Sequence, residues 1–100
     1  MTSIIKNMQT FDDIEMEYNP YLNTSRNTLT KYERALIIGM RLEQLARGAK
    51  PYVDFKRFHL ESIQQIAEKE LKEKVIPFMV IRQMPNGQSE YWKLSDFNIN

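Results

Sequence analysis

The fold of this chain is decided by residues 30–35, TKYERA, which contain the clearest helix start in the sequence. Thr30 and Glu33 have the spacing of a capping box, in which the Thr hydroxyl accepts a hydrogen bond from the Glu amide and the Glu carboxylate accepts one from the Thr amide. Apolar residues then recur at helical spacing. They are Ala35, Ile38, Leu42, Leu45 and Ala49. We therefore predict a helix that ends at Gly48, where glycine suits a left-handed C-cap.

Gly39 lies inside this predicted helix, where a glycine costs about 1 kcal/mol relative to alanine. Such a glycine is tolerated most easily where another backbone packs closely. Two interpretations stay open, because that backbone could belong to this domain or to a partner that docks on the helix. Arg34, Arg41 and Gln44 are expected on the flank opposite the apolar face.

A second helix is predicted to begin after Ser62, which has the capping-box spacing with Gln65, and to end before Pro77. One face of this helix carries Ile63, Ile66, Ala67, Glu70 and Leu71. Glu70 is also four residues before Lys74, so the two are expected to form a solvent-exposed ion pair.

After Pro77 the apolar pattern changes from the period of a helix to that of a strand. Residues 78–81 and 91–94 are β-prone runs. Between them, Pro85 and Gly87 flank an Asn in a stretch that favours a turn. The sequence therefore predicts a C-terminal β-hairpin.

The N-terminal quarter of the chain differs from the rest in charge. Residues 1–27 carry a net charge of −2, and residues 28–100 carry +3. We predict that residues 1–28 are a flexible or partner-ordered, mildly acidic arm and that residues 29–100 fold. Within the arm, residues 11–15, FDDIE, place apolar side chains among acids. This segment is either ordinary disordered chain or a short element that folds onto a basic partner.

The expected fold class is α+β: two packed helices followed by a C-terminal hairpin, with a flexible arm in front. A domain of roughly 70 residues buries only about 60% of the surface that its unfolded chain exposes. A two-stranded hairpin alone is barely stable in water. The hairpin must therefore lie on the helices or join a sheet from a partner, and we expect a larger partner to stabilise the domain.

The composition argues against an enzyme. The chain has no Cys, one His and three Gly, which leaves no thiolate site, no His cluster and no phosphate-binding glycine loop. His59 lies in a charged loop without a nucleophile signature and is interpreted as a solvated loop histidine. We predict no catalytic residue, no metal site and no cofactor. No apolar run approaches the roughly 20 residues that span a bilayer, so no membrane partner is expected.

Nucleic-acid binding is the stronger alternative. Basic residues lie on and just after the first helix, where two rings could stack on bases. These residues are Lys31, Arg34, Arg41, Arg47 and Lys50, with Tyr32 and Tyr52. Glu33 and Glu43 dilute that charge, and arginines on a helix flank also bind carboxylates of protein partners. A protein partner is favoured, and a free-standing nucleic-acid-binding or regulatory domain stays as the alternative.

The same motifs resemble one known family, the common sixth subunit of eukaryotic RNA polymerases with its archaeal subunit K and bacterial omega relatives. Residues 30–35 and the residues that follow resemble the opening helix of that family. The positions that match there are Gly39, Arg41, Gln44 and Ala46; those in the second half are Ile66, Ala67, Glu70, Leu71, Lys72, Ile76 and Pro77. In the hairpin, the family pattern of a Pro-x-Gly turn leading to a Trp is matched by Arg82, Pro85, Gly87 and Trp92.

This resemblance implies a non-catalytic subunit that docks on the largest polymerase subunit and helps it to fold and join the core. The residues expected to form the docking surface or to brace it are Tyr32, Arg34, Gly39, Arg41, Gln44 and Trp92, while Thr30, Glu33, Pro77, Pro85 and Gly87 are expected to be structural. DNA and RNA would be met only through the complex. A transcription factor is a candidate partner for the arm.

Two features depart from the eukaryotic pattern. The arm is short and only mildly acidic, and residues 56–60 are basic and aromatic where eukaryotic members tend to be acidic. These departures suit a divergent eukaryotic copy or one encoded by a large DNA virus. The implied location is the nucleus in the first case and the virion or the viral factory in the second.

Overall fold

The computed structural model of the chain describes residues 2–7 and 19–98. Its regular elements are strand β1 (Thr2–Asn7), helix α1 (Lys31–Ala46), helix α2 (Ile63–Lys72), strand β2 (Phe78–Gln83) and strand β3 (Ser89–Lys93). Short 3-10 turns lie at Pro20–Leu22 and Leu94–Asp96. The predicted α+β class is confirmed, with two helices and a C-terminal hairpin formed by β2 and β3.

The strands form one antiparallel sheet in the order β1-β2-β3. Ile5 pairs with Val80, and Val80 pairs with Trp92, so the three side chains lie in one row across the sheet. A central apolar core joins this sheet to α1 and α2. Its buried members are Ile5, Ile37, Leu71, Ile76, Phe78, Val80, Trp92, Leu94 and Phe97. A smaller cluster of Leu45, Ile66 and Ala67 fills the space between the helices.

The first strand lies inside the segment for which a flexible arm was predicted. Residues 2–7 instead pair along the whole of β2, and Ile5 is buried in the core. Residues 19–28 also pack against the hairpin, where the Asn23 side-chain amide donates to the Tyr91 carbonyl at 2.9 Å. The local sequence pattern did not predict β1, because this strand forms only by pairing with β2, about 75 residues later in the chain. Residues 11–15 lie outside the described residues.

The helix ends follow their sequence signals. The capping box is present, with the Glu33 amide donating to Thr30 Oγ1 and the Thr30 amide donating to Glu33 Oε1, both at 3.0 Å. Gly48 adopts φ +96° as predicted, and the Ala49 amide donates to the Gln44 carbonyl at 3.0 Å, which completes a Schellman motif. The turn before β3 likewise uses Gly87 at φ +84°.

The second cap is only half as predicted. The Gln65 amide donates to Ser62 Oγ at 3.2 Å, but the Gln65 side chain accepts from the Glu61 amide instead of the Ser62 amide. At its other end, α2 stops before Pro77 is reached. Lys74 takes the left-handed conformation at φ +58°, so a Schellman turn and not the proline ends this helix.

The buried face of α1 differs from the predicted apolar face. Its buried residues are Glu33, Ile37, Arg41 and Leu45, spaced four apart, while Ala35 is exposed. Ile38 and Leu42, which the pattern placed at the centre of the face, are only partly buried. The helix is rotated relative to the expectation because two charged side chains on it find buried partners of opposite charge.

Candidate partner-docking surface

Glu33 and Arg82 form a buried ion pair that ties three parts of the chain to α1. The Nε and Nη2 groups of Arg82 each donate to a Glu33 carboxylate oxygen at 2.8 Å. Arg82 also donates to the carbonyl oxygens of Arg26 and of Thr28, the latter at 2.9 Å. The Ser3 hydroxyl donates to Glu33 at 2.6 Å. This pair therefore connects β1, β2 and residues 19–28 to the first turn of α1.

The environment of Glu33 keeps it ionised. Burial raises the pKa of this carboxyl, but hydrogen bonds from Arg82, Ser3 and the Thr30 amide outweigh that effect and lower the pKa from 4.5 to about 2. The side chain has no exposed surface. At neutral pH the buried pair is therefore a full carboxylate facing a full guanidinium.

Glu90 on β3 holds residues 19–28 from the other side. The Thr24 amide and hydroxyl donate to Glu90 Oε2 at 2.7 and 2.9 Å, and the Ser25 amide and hydroxyl donate to Oε1 at 3.0 and 2.5 Å. Burial raises the pKa of Glu90, but these hydrogen bonds outweigh it and lower the pKa to about 2. Ser25 Oγ also accepts a hydrogen bond from Trp92 Nε1 at 3.0 Å.

A second buried ion pair, Arg41 with Glu70, joins α1 to α2. Arg41 Nη2 donates to Glu70 Oε2 at 3.0 Å and to the Lys50 carbonyl at 3.2 Å, and Nη1 donates to Gln44 Oε1 at 2.9 Å. The Tyr52 amide donates to Glu70 Oε2 at 2.8 Å, and the Tyr52 ring centroid lies 4.6 Å from Arg41 Cζ. This pair fixes the loop that follows α1. The predicted ion pair of Glu70 with Lys74 is wrong, because Glu70 is fully buried.

Two of the predicted docking residues lie beneath the surface. Arg41 is 2% exposed, so its expected place on an exposed flank is wrong; its charge is fully used by Glu70 and neighbouring acceptors. Trp92 is 6% exposed and packs 5.4 Å from the Phe97 ring in the central core. Both side chains therefore lie inside the fold, and bracing the surface is the one of their two expected roles that this burial fits.

The opposite side of α1 is open. Tyr32 is 65% exposed. On the same face Glu43 carries a long exposed side chain that pairs with Arg47, and three positions carry small side chains. These are Ala35, Gly39 and Ala46, all exposed. Arg34 is exposed on the flank nearest α2, and Gln44 is half-buried beside Arg41. We call the face formed by Tyr32, Ala35, Gly39 and Ala46 the outer face of α1.

The surroundings of Gly39 bear on its two interpretations. A Cβ added at Gly39 would meet no atom within 4 Å among the described residues. Packing against residues 2–7 and 19–98 therefore does not account for the glycine. Gly39 lies on an exposed side of a helix whose other side is held by two buried ion pairs.

The described residues contain no cluster that could bind a metal ion. Across residues 2–7 and 19–98, no group of three His, Asp or Glu side chains lies close enough to hold a metal ion. His59 lies in an exposed loop at φ +55°. In the same part of the chain, no helix has the length and apolar character to cross a membrane.

Sequence reasoning missed the residues that do most to organise this surface. Glu70 stands among apolar residues on the inward face of α2, and Arg82 continues the buried run of β2. In both cases a charged residue occupies a position where the periodicity of the element predicts a buried side chain. That position could have indicated a buried ion pair. For Glu90, Thr24 and Ser25 the sequence carries no such signal, because their contacts join segments 65 or more residues apart.

Comparison with known proteins places these features in one family. Residues 25–78 match the family model described as RNA polymerase Rpb6. The chain is 48% identical over 65 residues to DNA-directed RNA polymerase subunit Rpo6 of Sulfurisphaera tokodaii, covering 65% of this chain and 76% of that protein. It is 46% identical over 65 residues to subunit Rpo6 of Sulfolobus acidocaldarius, with 65% and 73% covered. It is 42% identical over 67 residues to subunit Rpo6 of Aeropyrum pernix, covering 67% of this chain and 75% of that protein.

Proposed function

Because the chain belongs to the RNA polymerase Rpb6 family, we propose that it docks on the largest subunit of a multisubunit DNA-directed RNA polymerase and promotes folding and assembly of that subunit. In this role the chain carries no catalytic residue of its own. RNA synthesis belongs to the large subunits, and this chain acts by binding them.

The observation that carries the proposal is the outer face of α1. Gly39 leaves open space at the middle of this face, with exposed Ala35 one turn before it and exposed Ala46 about two turns after it, beyond Glu43. Small side chains let another backbone approach a helix closely, which explains a glycine that costs helix stability. Tyr32, 65% exposed at one end, supplies a large side chain of the kind that anchors interfaces.

The assembly role follows from how a rigid surface acts on a long chain. The buried pairs of α1 hold its outer face in place, so few degrees of freedom of this subunit are lost when it binds. A segment of the larger subunit that docks there becomes ordered only in the assembled state. Binding to the assembled state alone stabilises it by mass action, in proportion to the logarithm of the concentration of this subunit.

The experiment compares Gly39→Phe with a matched helical control, Gln64→Phe, in the native source. Gln64 is exposed on α2, away from the outer face of α1. Neither variant is expected to unfold the free chain, because the Gly39 position opens to solvent. We expect the tagged wild type and Gln64→Phe to copurify with the polymerase, and Gly39→Phe to be lost from it.

Two results would contradict the proposal. Normal incorporation of Gly39→Phe would remove the outer face of α1 as the docking surface. Recovery of the wild-type tagged chain as a lone monomer would remove the polymerase role and favour the alternative, a free-standing nucleic-acid-binding or regulatory domain.

The arm and the location extend this proposal. Residues 11–15 are proposed as the contact for a transcription factor; deleting residues 8–18 with a short Gly-Ser replacement should then weaken factor binding while incorporation persists. The location follows the polymerase that is served: the nucleus for a nuclear enzyme, the virion or viral factory for a viral one. Microscopy of the tagged chain distinguishes these cases.

A further inference from the structure

Exposed aromatic and apolar side chains are concentrated in the connection between α1 and α2. Four large ones lie within residues 52–63, each between 38% and 44% exposed. They are Tyr52, Phe55, Phe58 and Ile63. The docking proposal does not use this connection, which lies outside the outer face of α1.

The connection borders an open cleft of about 590 Å³ between α1 and α2. The cleft is lined by Arg34, Phe58, His59, Leu60, Gln65, Glu68, Lys69 and Lys72. The lining carries three cations, Arg34, Lys69 and Lys72, and one carboxylate, Glu68, which accepts a hydrogen bond from Gln64 at 3.0 Å. The lining is therefore cationic.

Phe58 places an aromatic ring among these cations. Lys69 Nζ lies 4.3 Å from the Phe58 ring centroid, and Arg57 Cζ lies 5.6 Å from it. Lys69 also forms an ion pair with Glu73 at 3.0 Å, which orients the ammonium beside the ring. A ring flanked by positive groups within a cleft offers stacking to a base and charge to the adjoining phosphates.

We infer that this cleft, between Arg34 on α1 and Lys69 and Lys72 on α2, binds a single-stranded nucleic acid, with Phe58 stacking on a base. Grooves of this kind combine cations along a backbone with aromatic platforms for bases. A duplex keeps its bases stacked inside and gives Phe58 nothing to contact. The inference goes beyond the expectation that the chain meets nucleic acid only through the polymerase complex.

The cleft and the docking surface are compatible. On a helix with 100° per residue, Arg34 and Gly39 point in directions about 140° apart. A partner on the outer face of α1 therefore leaves the Arg34 side of the helix open. Nucleic acid leaving or entering an assembled polymerase could then contact this subunit directly.

The test measures anisotropy of a labelled oligothymidylate of about 12 nucleotides, a length within the usual site size, titrated with the full chain. If the three cations of the cleft neutralise three phosphates, raising the salt concentration from about 50 to 200 mM should weaken binding about 20-fold. Lys72→Ala, which removes one of the three cations that line the cleft, should weaken binding and reduce the salt dependence. Phe58→Leu, which keeps apolar bulk but removes the ring, should weaken binding about five-fold or more.

The matched control is Arg47→Ala, which removes an exposed arginine at the far end of α1 and should change affinity less than about two-fold. Circular dichroism confirms that each variant is folded. The inference is overturned if no saturable, salt-dependent binding occurs, if Arg47→Ala weakens binding as much as Lys72→Ala, or if Phe58→Leu binds like the wild type. It is also overturned if a glutamate oligopeptide displaces the label as well as unlabelled oligothymidylate does, which would identify an acidic protein partner.

Discussion

Replacing Glu33 by glutamine tests whether one buried ion pair holds the two ends of the domain together. Glu33→Gln keeps the shape of the side chain and removes its charge. The wild-type carboxylate accepts four hydrogen bonds, two from Arg82, one from the Ser3 hydroxyl and one from the Thr30 amide. In the variant, the buried Arg82 guanidinium faces a neutral amide.

Two independent estimates of the effect agree. Removing one partner of a buried ion pair costs about 3–5 kcal/mol, because the remaining charge stays buried without compensation. The pKa of Glu33, lowered from 4.5 to about 2, corresponds to about 3 kcal/mol of preference for the ionised form in the folded state. Domains of this kind have unfolding free energies of about 5–15 kcal/mol, so the variant should lose a large fraction of its stability.

The assay is equilibrium unfolding in urea, followed by the fluorescence of the single tryptophan. Trp92 is buried and hydrogen-bonded to Ser25, so its emission reports on the same region of the fold. A loss of about 3 kcal/mol should lower the unfolding midpoint by about 2 M. The control is Glu43→Gln, which breaks an exposed ion pair with Arg47 and should cost less than about 1 kcal/mol.

The pH dependence gives the same test a second readout. Because the pKa of Glu33 is lower in the folded state, its contribution is present above pH 4.5 and is lost as the pH falls towards 2. The gap between wild type and Glu33→Gln should therefore shrink over that range. A variant that loses less than about 1 kcal/mol at neutral pH, or a gap independent of pH, would refute the reasoning.

Two further predictions use the same unfolding assay. Arg41→Met should lower the free energy of unfolding by about 3–5 kcal/mol, because it leaves the Glu70 carboxylate buried without a partner. Adding Glu70→Leu to that variant should recover much of the loss. A double variant no more stable than Arg41→Met alone would contradict a coupled pair. Gly87→Ala should lower the free energy of unfolding by about 1 kcal/mol because residue 87 has φ +84°. Gly39→Ala should raise it by about the same amount, because alanine favours a helix more than glycine does. If the two variants change the free energy of unfolding in the same direction, these backbone assignments are contradicted.

Local sequence patterns were sufficient for the elements that local chemistry builds. The capping box at Thr30, the left-handed cap at Gly48 and the hairpin turn at Gly87 each depend on residues within a few positions of one another. Periodicity placed α1, α2, β2 and β3 for the same reason. Each of these signals is complete within one element, so no knowledge of the rest of the chain is needed.

The sequence was insufficient wherever a contact joins distant segments. Strand β1 exists because β2 is beside it, and its six residues carry too short a pattern to predict that pairing. Periodicity also places charged residues in water by default, so it put Arg41 on an exposed flank and Glu70 in a surface ion pair. Arg41 and Glu70 are buried because they pair with each other. The pattern of a single helix cannot predict this, because one residue lies on α1 and the other on α2.

The two ion pairs explain how a domain this small can present a stable surface. A buried pair adds little net stability over apolar residues of the same shape, but it strongly disfavours arrangements in which either charge is left alone. Arg41 with Glu70 thus fixes α1 against α2, and Arg82 with Glu33 fixes the start of α1 against the sheet. Both pairs lie on the inner side of α1, so they fix the orientation of the helix and leave its outer face exposed. A partner that docks there meets a surface already in its binding geometry, and less of the binding energy is lost in ordering this subunit.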